Sequence, residues 1–165
     1  MKAFLSLLIA HLGLVFAFAS DYTDSVLTHL QGVGLEVRPL NVQSDLFNLS
    51  QEDVQGQALK ALQDLDVRVL SSAEQDVMPG QPYLDVSIDV AHAQGPSHLF
   101  VVRLELREMA QLERPKDKVV SMALPTWERK IMGVANRPEA VVEAMQRLLK
   151  VFADEYHTMN PPKEG

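Results

Sequence analysis

Apolar and polar residues alternate along two neighbouring segments in the middle of the chain, 83–93 and 98–112. Alternation with a period of two is typical of strands that bury one face of a sheet. The even positions are apolar in both segments: Leu84, Val86, Ile88, Val90, Phe100, Val102, Leu104 and Leu106. Since the parity is shared, we predict an antiparallel hairpin that turns at 95–97 and buries its even-numbered side chains.

The odd positions of this hairpin carry charges of both signs. We expect Asp89 to lie across from Arg103 and Asp85 across from Arg107, because this register keeps the parity and places opposite charges side by side. No helix is expected on this face of the sheet. Two interpretations stay open: the charges only keep the face solvated and fix the register, or they dock a partner.

A helical pattern begins after residue 49. Ser50 has the position of an N-cap and Asp53 that of the third helical residue, where a weaker form of the capping box is expected. Five apolar residues then fall on one helical face, namely Val54, Ala58, Ala61, Leu62 and Leu65. The spacing predicts an amphipathic helix over 50–65.

A second helical pattern covers 136–160. The spacing of Asn136 and Glu139 matches an N-cap and the third helical residue. One apolar stripe follows, formed by Val141, Met145, Leu148, Phe152 and Tyr156. Asn160, followed by two prolines, is expected to end this helix.

Shorter strands are predicted at 35–40, 67–70 and 119–124, while 126–134 reads equally well as a strand or as a loop. The resulting element order is β-α-β-β-β-β-α. Both helices have a single apolar stripe, so the simplest assembly is an α+β two-layer sandwich. In it, one mixed, mostly antiparallel sheet carries the two helices on one face.

The N-terminal end has a basic residue, an apolar run and the small residues Ala17 and Ala19 in A-x-A spacing. These are the three parts of a secretory signal. The apolar run is shorter than the roughly 20 residues that a membrane anchor needs. We therefore predict a signal peptide over 1–19, a single domain over 20–160 and a disordered tail over 161–165. The expected location is the periplasm or the outside of the cell.

Composition narrows the classes of function. The 165 residues include no cysteine, which excludes a disulfide framework and any thiolate metal site or nucleophile. The formal net charge is −7, and it argues against nucleic acid and against anionic membrane surfaces as partners. Stable membrane insertion after signal cleavage is not expected either.

Few residues point to chemistry. His92 and His98 flank the predicted turn, with Asp89 as the nearest carboxylate, but this spacing matches no known ligand signature and fits two solvated loop histidines better. The methionines are scattered in the manner of core fillers, and no serine lies in a G-x-S-x-G elbow. No catalytic, cofactor or metal site is therefore predicted. Trp127, the one tryptophan, either closes an end of the core or contacts a ligand or partner.

The capped helix after the first strand, the strand "PYLDVSIDV" and the element "PTW" before the last helix resemble small exported bacterial proteins of unknown function. The order of elements is also similar to that of the α/β domains of envelope-assembly factors, such as the N-terminal domain of TolB. Both resemblances concern the fold, and neither implies a catalytic residue.

From the sequence we expect a non-catalytic periplasmic accessory or protein-interaction domain of the bacterial envelope. Its possible partner surface consists of Asp85, Asp89, Arg103, Arg107 and Trp127. The alternative is a carrier that holds a small ligand or a metal between the sheet and the helices. The partner's identity and the oligomeric state stay open at this point.

Overall fold

The computed structural model describes residues 26–42, 49–93, 95–114 and 118–161. The predicted signal peptide and residues 162–165 of the predicted tail lie outside the described residues. The strands are β1 (Gly34–Val37), β2 (Asn41–Val42), β3 (Tyr83–His92), β4 (His98–Arg114) and β5 (Lys118–Ala135). The helices are α1 (Gln51–Asp64), α2 (Ser72–Val77) and α3 (Glu139–Met159).

The strands form one mixed sheet in the order β1-β3-β4-β5, and the short β2 also pairs with β3. The β1–β3 and β2–β3 pairs are parallel, whereas β3–β4 and β4–β5 are antiparallel. The predicted α+β fold and its element order are confirmed. Of the predicted strand at 67–70, only Val69 pairs, through a parallel bridge to Val33. The short helix α2 is an addition to the predicted elements.

Helix α1 is capped as predicted. The Ser50 side chain accepts a hydrogen bond from the backbone N–H of Asp53 at 3.0 Å, which satisfies one of the free donors of the first turn. Val54, Ala58 and Leu62 are buried, and the other two stripe residues are partly buried. This face packs on the sheet.

Helix α3 buries its whole predicted stripe, but it begins differently from the prediction. Pro138, not Asn136, is the residue before the first helical turn, and no side chain caps it. The carbonyl of Pro138 accepts from the N–H of Val141 at 3.0 Å, so the fixed backbone of proline starts the helix without a capping side chain. The helix ends at Asn160, as predicted.

The β3–β4 hairpin confirms the predicted parity and corrects the predicted register. All eight even positions of the pattern are buried. However, Asp85 lies across from Glu105, not Arg107, and Asp89 lies across from Val101, not Arg103. The position of the turn is the reason: the N–H of Ala93 bonds the carbonyl of Ser97 at 3.0 Å, so the hairpin is centred at residue 95, one residue earlier than predicted, and every cross-strand partner moves by two residues.

The undecided segment 126–134 is part of strand β5, which continues without interruption to Ala135. Pro125 does not end the strand, since the ladder only shifts at a bulge opposite Leu106 and Arg107. Bulges of this kind re-aim a strand without breaking it. None of the described helices is both long enough and apolar enough to cross a membrane.

Candidate functional site: the open face of the sheet

Helices α1 and α3 cover one face of the sheet, and the opposite face carries the odd-numbered side chains of β3 and β4. We call this second face the open face. Strand alternation places Asp85, Asp89, Arg103 and Arg107 on it, as predicted. Arg38, which follows β1, joins them from the edge, because the parallel ladder sets Val37 beside Val86.

Asp85 is the centre of an ion-pair network although it is only 4% exposed. The Nε atom of Arg38 donates to both of its carboxylate oxygens at 2.8 Å, and the Nη2 atom of Arg38 adds a further hydrogen bond. Arg107 Nε lies 3.1 Å from Asp85 Oδ2. The hydrogen bond to Asp85 raises the pKa of the Arg38 guanidinium above its ordinary value.

Glu105 lies directly across from Asp85 and is almost as buried. Two carboxylates facing each other across strands repel, so the pair needs compensating cations. Arg107 supplies one of them, with its nitrogens Nε and Nη2 each 2.8 Å from Glu105 Oε2. Arg107 thus contacts both carboxylates, while Arg38 binds Asp85 through two nitrogens, a bidentate geometry that makes a strong charged hydrogen bond.

Arg103 extends the network to the last strand. Its Nε atom lies 3.4 Å from Glu128 Oε1 on β5, and its Nη1 atom lies 3.9 Å from Glu105 Oε1. The charges thus connect all four main strands. Because Asp85 and Glu105 are both held by guanidinium groups, the network presents its charges at set positions.

An apolar patch lies next to this network on the same face. Leu99 pairs with Val134, and Val101 pairs with Met132. Leu99 is 53%, Met132 70% and Val134 63% exposed, and Val101 is half-buried. Exposed apolar side chains that cluster, rather than occur singly, are typical of interaction sites.

Asp89 sits apart from the ion-pair network. Its carboxylate accepts a hydrogen bond from the Asn41 side chain at 3.0 Å, and the residue is exposed. Asp89 lies at the level of the apolar patch, because Val101 is its partner across the strands. The structure therefore places it at the border of the patch.

Trp127 lies on the other side of the sheet. It is buried against α3, where its Nε1 atom donates to Glu155 Oε2 at 2.7 Å and its ring meets Phe152 edge to face at 5.3 Å. Arg129 covers the ring at 5.0 Å and pairs with Glu155 at 2.9 Å. The position closes the core and is separated by the sheet from the four charged residues predicted with it.

His92 and His98 face each other across β3 and β4, with ring centroids 5.4 Å apart. The expectation of two solvated loop histidines is wrong for His98, which is buried because its even position points into the helical layer. Among the described residues, no group of three or more His, Asp or Glu side chains is arranged to hold a metal ion.

A groove of about 390 Å³ runs between α1 and α3. Its lining combines acidic residues (Asp53, Glu139 and Glu143) with the apolar Leu49 and Val142. The groove lies on the outer side of the helical layer. It is therefore not in the place where the ligand-carrier alternative expects a ligand, between the helices and the sheet.

Two parts of the open face were not predicted from the sequence. Arg38 comes from a strand 47 positions away from Asp85, and no local pattern reveals that pairing. The apolar patch could have been recognised from the sequence, because Leu99 and Val101 occupy odd positions, which the alternation assigns to polar residues.

Two comparisons of this chain with known proteins gave no match. No protein-family model matches it. None of the curated proteins compared with it matches significantly either.

Proposed function

We propose that this protein is a non-catalytic interaction domain of the bacterial envelope and that it docks a protein partner through the open face. The observation that carries the proposal is the apolar patch of Leu99, Met132 and Val134 beside an ordered set of charges. Protein interfaces combine an apolar centre with a polar rim in this way.

The charges support docking because they are already in place before a partner arrives. Arg103 lies beside the patch, 3.4 Å from Glu128, and both side chains are still more than 40% exposed. Pre-ordered side chains lower the entropic cost of binding. The partner that fits has apolar side chains for the patch and, around them, charges of both signs.

The location belongs to the same proposal. Its support is the pattern of basic residue, apolar run and A-x-A spacing in 1–19, which predicts export and a mature N-terminus at Ser20. N-terminal sequencing of the exported protein tests this directly. A protein that still begins at Met1 would contradict it.

Site-specific photo-crosslinking tests the docking. A photoreactive residue at Met132 should give one discrete adduct in envelope preparations, whereas the same group at Val77 should give none. Val77 is a matched control because it is 81% exposed but lies on α2, away from the patch. Equal labelling at both positions, or no adduct at Met132, would refute docking at this face.

The isolated partner then allows a quantitative test. Met132→Asp and Val134→Asp should each weaken its binding at least tenfold, because a desolvated charge would enter the apolar centre. Val77→Asp should leave binding unchanged. All three positions are highly exposed, so the thermal unfolding midpoints should stay close to that of the original protein.

A further inference from the structure

Strands β4 and β5 extend together beyond the rest of the fold. Strand β3 pairs with β4 only as far as Arg107, and one further hydrogen bond joins the N–H of Met109 to the carbonyl of Gly80 at 2.7 Å. Helix α3 contacts Trp127 through Glu155, and the helix ends four residues after Glu155, at Met159. We call residues 108–114 and 118–124 the arm, a two-stranded ribbon roughly 23 Å long at about 3.3 Å per residue.

A two-stranded ribbon is marginally stable in water unless something packs on it. The arm exposes apolar side chains on both faces, namely Met109, Leu112, Val119, Val120 and Met122. In the part of the chain that the structure describes, neither a strand nor a helix packs along the arm. These exposed apolar side chains therefore favour a binding partner that packs on the arm.

The outer edge of β5 shows where that partner lies. β5 is the last strand of the sheet, so its outer backbone groups face no strand among the described residues. Natural proteins protect such edges with charges and proline. Glu128, Arg129 and Lys130 do so in one half of β5, but Val119–Leu124 has no charge, no proline and no glycine. This segment is the unprotected edge.

We propose that a second copy of this chain pairs with the unprotected edge, antiparallel and about a two-fold axis at Ser121. This register sets Val120 against the partner's Met122 on one face of the ribbon and Val119 against the partner's Ala123 on the other. No charged residue faces another within the segment. The edge is thus complementary to itself, as a two-fold interface requires.

Pairing with a second copy also helps to stabilise the arm. Two ribbons joined at β5 make a four-stranded sheet, which meets the minimum of three strands that a sheet needs to be stable in water. The surface is distinct from the open-face patch, so dimerisation does not depend on the proposed docking. Since each copy has a net charge of −7 and the contact is short, we expect a reversible dimer.

A cysteine scan tests the register, because the chain contains no cysteine of its own. Two residues at the axis have Cα atoms about 4.5–5.5 Å apart, which suits a disulfide. Ser121→Cys should therefore form disulfide-linked dimers on mild oxidation. Val119→Cys is the matched control: it is on the same strand and 58% exposed, but its copies would be four residues, roughly 13 Å, apart.

A charge exchange tests the pairing without relying on a single variant. The double variant Val120→Lys with Met122→Lys places lysines opposite each other, so it should sediment as a monomer. Val120→Glu with Met122→Glu should do the same. An equimolar mixture should recover a dimer, since lysine then faces glutamate across the axis. Recovery in the mixture shows that both variants are folded.

The results of these experiments either support or overturn the proposed dimer. A concentration-dependent doubling of mass, crosslinking at 121 well above 119 and recovery in the mixture support the dimer. A protein that stays monomeric at all concentrations and shows no crosslink at 121 overturns it. If the arm is then found to bind a different protein, a strand of that protein covers the edge and the second copy does not.

Discussion

Strands β4 and β5 run through two different surroundings, and the comparison shows what makes a strand part of a core. In the body of the sheet, β3 lies beside β4 and α3 lies above it, and Phe100, Leu104 and Leu106 are buried. In the arm the same two strands remain paired, yet Leu112 and Val120 on the corresponding face are about 40% exposed. Strand pairing alone buries little side-chain surface, and most of the burial comes from the helix that packs on the sheet.

The body should therefore hold most of the folding free energy. Full burial of a large apolar side chain contributes about 1.5–3 kcal/mol, and a half-exposed one contributes correspondingly less.

Phe152→Ala should destabilise the protein by about 3–5 kcal/mol, because it removes a buried ring that contacts Trp127 and Tyr156 and leaves a cavity. The measurement is denaturant unfolding. Val151→Ala, at the neighbouring exposed position, should cost about 0.5 kcal/mol or less. Equal losses would mean that α3 does not pack on the body as described.

Arg107→Ala should cost about 2–3 kcal/mol, since it leaves Asp85 and Glu105 facing each other with less compensation. Arg38 still pairs with Asp85, which keeps the loss at the lower end for a buried ion pair. Arg137→Ala is the control, because it breaks an exposed pair with Glu143, and exposed pairs contribute little. A loss at Arg107 no larger than that of the control would contradict the structural role of the network.

Leu112→Ala compares the arm with the body directly. In dilute solution, where the chain is a monomer, we expect a loss of about 0.5 kcal/mol or less, against about 2–5 kcal/mol for Leu104→Ala on the same strand. Unfolding followed at low protein concentration measures both. A loss above about 2 kcal/mol at Leu112 would show that the arm is packed by its own chain.

The smallest effect concerns α2, which precedes the turn at the base of the arm. The backbone N–H and the hydroxyl of Ser71, together with Arg68, lower the pKa of Glu74 to about 2. A lowered acid pKa stabilises the folded form above the ordinary value of 4.5, and this contribution is lost as the pH falls through 2.

The protection factors of the α2 amides, which compare measured with intrinsic exchange rates, should therefore stay constant near pH 5 and fall between pH 4.5 and 2. Glu74→Gln removes the titrating group, so exchange in the variant should not change over this pH range beyond its intrinsic rate. The same pH dependence in both proteins would assign the effect to another group.

The parity of the hairpin was predictable because burial affects every second residue, and a slip by one residue would expose the entire apolar face. A slip by two residues keeps that face, so parity could not choose between registers. The choice rested on charges placed directly opposite, which is a weak term. In the structure Arg107 still reaches Asp85, but diagonally, and the turn geometry decides the register.

Long-range parts of the site were beyond sequence reasoning for a related reason. Nothing local in the chain says that Arg38 lies beside Asp85, since the neighbour of β3 is set by the whole sheet. The arm was partly foreseeable, because the alternating segment 98–112 is longer than its partner 83–93. When a strand is longer than the strand beside it, its additional residues have no partner on that side.

The end of α3 ties together the two ends of the described chain. Tyr156 donates to the carbonyl of Leu30 at 3.2 Å and Asn160 to that of Leu27 at 2.7 Å, across 126 and 133 positions of sequence. Leu27 is fully buried beneath this contact. Contacts of such high separation form late and slow the folding reaction. A chain still emerging from a ribosome therefore cannot complete these contacts until Asn160 is free.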